Sequence, residues 1–268
     1  MASKDGWGAP KNGEAEKPAP SFVSIQEQPA PKALKIGIWG SQGTLKTSFC
    51  MTMPEPVFVM DTEGGTLGLA KKFYGEKKVY LNIVAETTDS GEFSHLESYN
   101  KLKACLRECI RMCKEDPENA PKTVVIDSIS DIWEWCTEIM KVDYLGIDPV
   151  RKPDTRWDWG IANKKYIDIM TLLKVLTEKY EVNYVVTARA GNQYTSKGQE
   201  TTLQTPKWQK RTPYWVDMII HNYIDDNGSK QLYYSKIKKW RGVSNKITGR
   251  AIQDSNFEKI MAMKGEVE

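Results

Sequence analysis

The sequence predicts an α/β fold with a mostly parallel central sheet, helices on both faces, and antiparallel strands added near the C-terminus. Three observations carry that expectation. Between residues 34 and 186, short apolar runs rich in Val and Ile alternate with longer stretches of helical spacing, and such alternation builds parallel neighbours with helical cover. Beyond residue 218 the apolar runs are separated by turns alone, as antiparallel strands are. No run reaches the roughly 18 apolar residues that a membrane span requires.

The elements follow in chain order. Residues 1–32 repeat Pro, Ala, Gly, Glu and Lys with few large apolar side chains. Such a segment buries too little surface to offset its ordering entropy, so a disordered tail is expected. The exception is Ser21-Phe22-Val23-Ser24-Ile25, a short apolar patch. Residues 33–268 read as one domain. Strands are predicted over 34–39, 57–60, 79–84, 123–126 and 184–186, and helices over 46–53, 92–114, 129–144 and 157–180. Further strands are predicted over 218–224, 231–237 and 247–252, with Asp226-Asn227-Gly228 as a hairpin turn.

Composition bounds the function classes. At 268 residues with 40% apolar and 27% charged side chains, the chain is ordinary for a globular protein. A net charge of +3 does not by itself point to nucleic acid. There is no cationic start followed by an apolar stretch, so no secretory signal is expected. The five cysteines then suggest a reduced intracellular compartment, with a cytoplasmic location. Cys105, Cys109 and Cys113 recur every four residues and would stack on one helix face. Structural zinc wants four ligands at tighter spacing, and His95 and His221 lie elsewhere, so small packed thiols are the expectation.

The chemistry-bearing motif begins where the first strand ends. Lys35-Ile36-Gly37-Ile38-Trp39 runs into Gly40-Ser41-Gln42-Gly43-Thr44-Leu45-Lys46-Thr47, with Ser48 and a helix following. A glycine-bearing loop between strand and helix presents backbone N–H groups to phosphates. Lys46 is placed to bridge the β- and γ-phosphates of ATP, and the Thr47 hydroxyl to ligate Mg²⁺. The pattern expects glycine where Leu45 stands, and Gly43 supplies part of that freedom. Alone, the stretch also reads as an ordinary strand-to-helix turn. Two further runs make it more specific. Thr123-Val124-Val125-Ile126-Asp127 ends in an acid suited to the Mg²⁺ shell. Val57-Phe58-Val59-Met60-Asp61-Thr62-Glu63 ends in acids too, and Glu63 is placed to polarise an attacking water. All three lie at the C-terminal ends of strands, where open α/β sheets bind ligands.

In this order, Gly40–Thr47, Asp61-Thr62-Glu63-Gly64-Gly65 and Val125-Ile126-Asp127-Ser128 resemble the RecA/RadA superfamily core. More narrowly, with Trp159-Gly160 before a long helix, they are similar to phage-borne RecA-fold ATPases of single-strand annealing and recombination. The resemblance spans roughly residues 33–260. It implies a RecA-like P-loop core that binds ATP and Mg²⁺, with Lys46, Glu63 and Asp127 in catalysis. It also implies action on single-stranded DNA, a homo-oligomeric ring or filament, a possible single-strand binding protein as partner, and a phage protein acting in a host cytoplasm.

The strand ending Val185-Val186-Thr187-Ala188-Arg189 matches the family strand that senses the γ-phosphate, although glutamine or histidine is more usual at Arg189. A polar stretch, residues 191–206, reads as a loop; the resemblance implies that it contacts single-stranded DNA, with Lys197 in it. The loop 146–158 takes the other DNA-facing position of RecA-like proteins, and here it holds Arg151, Lys152, Arg156 and Trp157, a mixture of cations and aromatics suited to a single strand; a solvated loop with Trp157 and Trp159 turned into the core is the other reading. Residues 205–250 hold ten Lys or Arg against three Asp. Within them Lys236 and Lys238 are expected on one strand face, where the family implies a reach to a neighbour's γ-phosphate; an edge strand protected by lysine is the plainer reading. In the family, an anchoring Phe in the tail docks on the next subunit, which would fall to Phe22. Two other readings stay open: a replicative-helicase-type motor, and a weakly hydrolysing RecA-paralogue scaffold.

Overall fold

The computed structural model describes residues 32–144, 146, 158–194, 200–226, 231–243 and 245–265. The expected tail up to residue 31, the patch around Phe22, the turn at Asn227-Gly228, and Arg151, Lys152, Arg156, Trp157 and Lys197 all lie outside these residues. In chain order the elements are β1 (Lys35–Gly40), α1 (Lys46–Cys50), β2 (Val57–Asp61), α2 (Thr66–Phe73), β3 (Val79–Ile83), α3 (His95–Glu115) and β4 (Thr123–Asp127). Next come α4 (Ile129–Ile139), prolonged by a π turn over Met140–Tyr144, then α5 (Asp158–Tyr180), β5 (Asn183–Tyr194) and β6 (Glu200–Pro206). The last are α6 (Thr212–Trp215), β7 (Met218–Asp226), β8 (Gln231–Trp240), β9 (Ala251–Gln253) and α7 (Phe257–Gly265).

The nine strands form one sheet in the order β3-β2-β4-β5-β1-β7-β8-β9, with β6 paired to β5. From β3 to β7 every pairing is parallel; β8, β9 and β6 pair antiparallel. This is the expected α/β class, helices on both faces included. Alternation along the strands distributes the core between those faces. Val124 and Ile126 of β4 join a cluster with Leu102 and Leu106 of α3, Ile132 of α4 and Leu173 of α5. Val125, one residue out of phase, joins Ile36, Ile38 and Val59 against Phe49 of α1 and Ile260 of α7. In α3, Ser98, Tyr99, Leu102, Leu106 and Cys109 repeat at helical spacing and are buried, and Ser94 caps the helix by accepting from Glu97 N–H at 3.3 Å. Cys109 is buried, with Cys105 and Cys113 half-buried beside it; burial pushes the Cys109 thiol up to about 12. No described helix is long and apolar enough to cross a membrane.

Several boundaries differ from expectation. The stretch read as a loop over 191–206 is a hairpin arm, because β5 continues to Tyr194 and β6 returns along it. Threonines at 201 and 205 suit that pairing; its polarity reads as a loop, and none of its described residues joins the buried core. The strand expected over 247–252 shrinks to Ala251–Gln253. Helix α1 is shorter than expected, and α2 and α7 went unmarked because each is short or weakly periodic.

Candidate nucleotide site

Parallel register brings the ends of β1, β2, β4 and β5 to one edge: Asp61 pairs with Asp127, and Gly40 with Arg189. The loop leaving β1 is shaped by close packing. A Cβ on Gly40 would lie 2.1 Å from the Asn222 carbonyl and 2.7 Å from Thr44 Oγ1, so only glycine fits there. Gly43 has φ 77° and Leu45 φ 61°, both left-handed. Leu45 therefore takes the conformation for which the pattern expects glycine, at a strain of about 1–2 kcal/mol. Thr44 Oγ1 donates to Ser41 O at 2.8 Å, and Asn222 Nδ2 donates to Thr44 O at 3.0 Å, pinning the loop to β7.

Lys46 Nζ donates to the carbonyls of Gly40 at 3.0 Å and Ser41 at 2.8 Å. Burial lowers its pKa, opposed by the charges of Asp127 and Glu63. Thr47 Oγ1 donates to Asp127 Oδ2 at 2.6 Å, and Thr187 Oγ1 donates to Asp127 Oδ1. Enclosure raises the Asp127 pKa, while the two hydroxyl hydrogen bonds pull it down. Asp61 is buried and acts as a brace: Oδ1 accepts from Glu63 N–H and Gly64 N–H at 2.9 Å, and Oδ2 from Thr66 N–H at 2.8 Å. That brace turns the Glu63 side chain outward, 58% exposed, where its Oε1 accepts from Arg189 Nε at 3.0 Å. Arg189 is shared with Asp131, which accepts from its Nη2.

These groups surround a cavity of about 550 Å³ lined by Ser41, Gln42, Gly43, Lys46, Thr47, Asp61, Glu63, Asp127, Arg189 and Gln204 among others, within the usual range for small-molecule sites. The loop N–H groups and Lys46 could hold phosphates. Thr47 and Asp127 form the hard-oxygen pair that Mg²⁺ takes when waters and phosphate supply its remaining ligands. Of the expected nucleotide-binding residues, Thr44, Leu45 and Ser48 line a smaller neighbouring cavity of about 110 Å³, with Tyr74 and Tyr234. Lys236 and Lys238 do not line the nucleotide cavity of their own chain. They flank His221, whose pKa burial and then their charges push down to about 4. His221 stacks on Trp39 with centroids 3.8 Å apart, and its buried Nε2 lacks a partner among the described residues.

Several site residues were not anticipated. Asp131 accepts from Thr62 Oγ1 at 2.5 Å and from Ser128 Oγ at 2.9 Å as well as from Arg189, tying β2 and β4 together. In the sequence it looks like an acid in a helix's first turn. Thr187 and Asn222 each interrupt an apolar strand run, which was a usable signal. Ser130 accepts from Arg189 N–H at 3.0 Å and donates to Lys207 O at 2.5 Å; nothing in the sequence marks it.

A family model described as an AAA domain matches residues 32–244. The chain belongs to that AAA-domain family, and with this loop and these acids it is a P-loop ATPase domain. Among solved structures it is similar to a KaiC-like protein from the hyperthermophilic archaeon Pyrococcus horikoshii, at 15% identity and a TM-score of 0.45, covering 83% of this chain and 85% of that one. No curated protein matches the chain.

Proposed function

We propose that this protein binds ATP with Mg²⁺, hydrolyses it, and acts on single-stranded DNA in recombination or annealing as a homo-oligomer. The observation that carries the catalytic part is the convergence of Lys46, Thr47, Asp127 and Glu63 on one cavity. Lys46 exchanges its carbonyl partners for β- and γ-phosphate oxygens. Thr47 and Asp127 would hold Mg²⁺, which would supply neutralisation of phosphate charge. Glu63 accepts the proton of a water whose oxygen attacks the γ-phosphorus, and the bond to the β-bridging oxygen breaks. For this, Glu63 must leave Arg189, whose Nε is then released toward the transferred phosphoryl group while its Nη2 stays on Asp131. Lys236 and Lys238 are assigned to a neighbouring subunit's phosphate. The DNA assignment is supported by the ten cations against three acids over residues 205–250; a single-strand binding protein is the partner such a protein would meet.

ATP turnover, measured with and without single-stranded DNA on the wild type, Lys46→Ala and Glu63→Gln, tests this. Stimulation by DNA, lost in both variants, is expected. Turnover indifferent to DNA sinks the DNA-dependent part, and duplex unwinding would move the assignment to a helicase-type motor. A second reading, a weakly hydrolysing scaffold, is favoured by the strained Leu45 and by the ion pair that occupies Glu63; weak ATP binding with negligible turnover would select it.

A further inference from the structure

A second cavity, about 560 Å³, shares no lining residue with the nucleotide site. Three indoles open on it: Trp133 of α4, Trp159 in the first turn of α5, and Trp208 just after β6. Trp133 and Trp159 lie nearly parallel, at 24° with centroids 6.3 Å apart. Trp133 is also fixed edge-on to Tyr166 at 5.8 Å. Trp208 is seated against β1 so closely that a Cβ on Gly37 would approach its ring to 2.9 Å. These rings are packed against neighbours yet not enclosed, with Trp159 38% exposed.

The polar lining narrows the ligand. Gln209 Nε2 donates to Asn163 Oδ1 at 2.8 Å, which sets two amides at the cavity wall with donor and acceptor capacity left over. Lys210 and Arg211 complete the lining, and no acid does. Among the described residues no ion pair engages Lys207, Lys210 or Arg211. Flat π surfaces, amides able to meet a base edge, and uncompensated cations together suit an anionic ligand with an aromatic face. A purely apolar partner would leave the cations and amides unused.

We infer that this cavity docks one unpaired nucleobase of a single-stranded polynucleotide, with Trp159 stacking on the base and Lys210 and Arg211 meeting the flanking phosphates. The inference rests on the single-stranded DNA reading above and adds where the strand is gripped. Stacking of this kind is sequence-tolerant because every base offers a π face.

The test is fluorescence anisotropy of the full chain with a labelled single-stranded thymidine oligonucleotide and with an abasic oligonucleotide of equal length. The wild type is expected to favour the base-bearing strand by about 5- to 150-fold, the range for one stacked base. Trp159→Ala should lose that preference while keeping its affinity for the abasic strand, and Trp159→Phe should keep most of the preference. Equal wild-type affinity for the two strands overturns the cavity assignment and leaves DNA binding intact. So does a preference that survives Trp159→Ala or is lost equally in Trp159→Phe. Binding to neither strand, or preference for duplex, removes the single-stranded DNA reading itself and this inference with it.

Discussion

The middle and the carboxyl ends of the parallel strands differ in nearly every physical respect. In the middle, Val124, Val125, Ile126 and Val185 are fully buried within the two apolar clusters. At the ends, within a few residues, sit Asp61, Glu63, Asp127, Asp131 and Arg189, bridged by the hydroxyls of Thr47, Thr62 and Thr187. Apolar burial supplies the stability that folding needs, whereas enclosed carboxylates cost desolvation that hydrogen bonds only partly offset. The difference separates a scaffold from a site: the ends hold chemistry that the fold would be more stable without.

That contrast can be broken at either region, and the largest effect belongs to the ends. Lys46→Ala is expected to lower ATP turnover on the order of 10²- to 10³-fold, as removal of a transition-state charge does, with the melting temperature little changed. A comparable loss of folding stability would mean that Lys46 belongs to the scaffold. Glu63→Gln should cut turnover while leaving ATP affinity within a small factor, checked by nucleotide titration alongside the turnover assay.

Next comes a change in the middle. Ile126→Ala should cost about 2–5 kcal/mol, read as a fall in the urea midpoint with the denaturant slope unchanged. Nucleotide affinity of the folded fraction should persist; if affinity falls while the midpoint holds, strand middle and site are not separable.

Smaller still is the pH effect of Asp127. Its folded pKa is raised above the ordinary 3.8, chiefly by burial. The folded state therefore holds its proton to higher pH than the unfolded state, and stability from this group is lost as pH rises from the ordinary aspartate value through the raised one. Comparing thermal melts of nucleotide-free wild type and Asp127→Asn across that range should show the variant gaining on the wild type as pH rises. A constant gap would mean the hydroxyls of Thr47 and Thr187 already offset the burial. The smallest change is Leu45→Gly, which relieves the left-handed strain but adds unfolded-chain entropy, for a net gain of about 0.5–1 kcal/mol. A lower melting temperature would show instead that the Leu45 side chain is needed where it packs.

Much of the site was readable because its residues sit at positions with a local signature. Lys46 and Thr47 follow a glycine loop, and Glu63 and Asp127 close apolar strands. Thr187 and Asn222 showed only as polar interruptions of a strand, and Asp131 and Ser130 not at all, because the contacts that give them their roles reach 58 to 178 residues along the chain, as in the Thr187–Asp127, Arg189–Asp131 and Asn222–Thr44 contacts. The arm formed by the end of β5 and by β6 escaped for a related reason: its described residues do not join the buried core, and the stretch carries no apolar alternation to read.

The sequence by itself determined the alternation of strand and helix, the glycine loop and the two acid-ended strands, since these depend on neighbours a few residues apart. Only the tertiary structure decided that Glu63 is held by Arg189, that Leu45 lies in the left-handed region, and that three tryptophans distant in sequence share one cavity. Strand order and register fix those distances, and they follow from how the whole sheet packs rather than from any one segment of it.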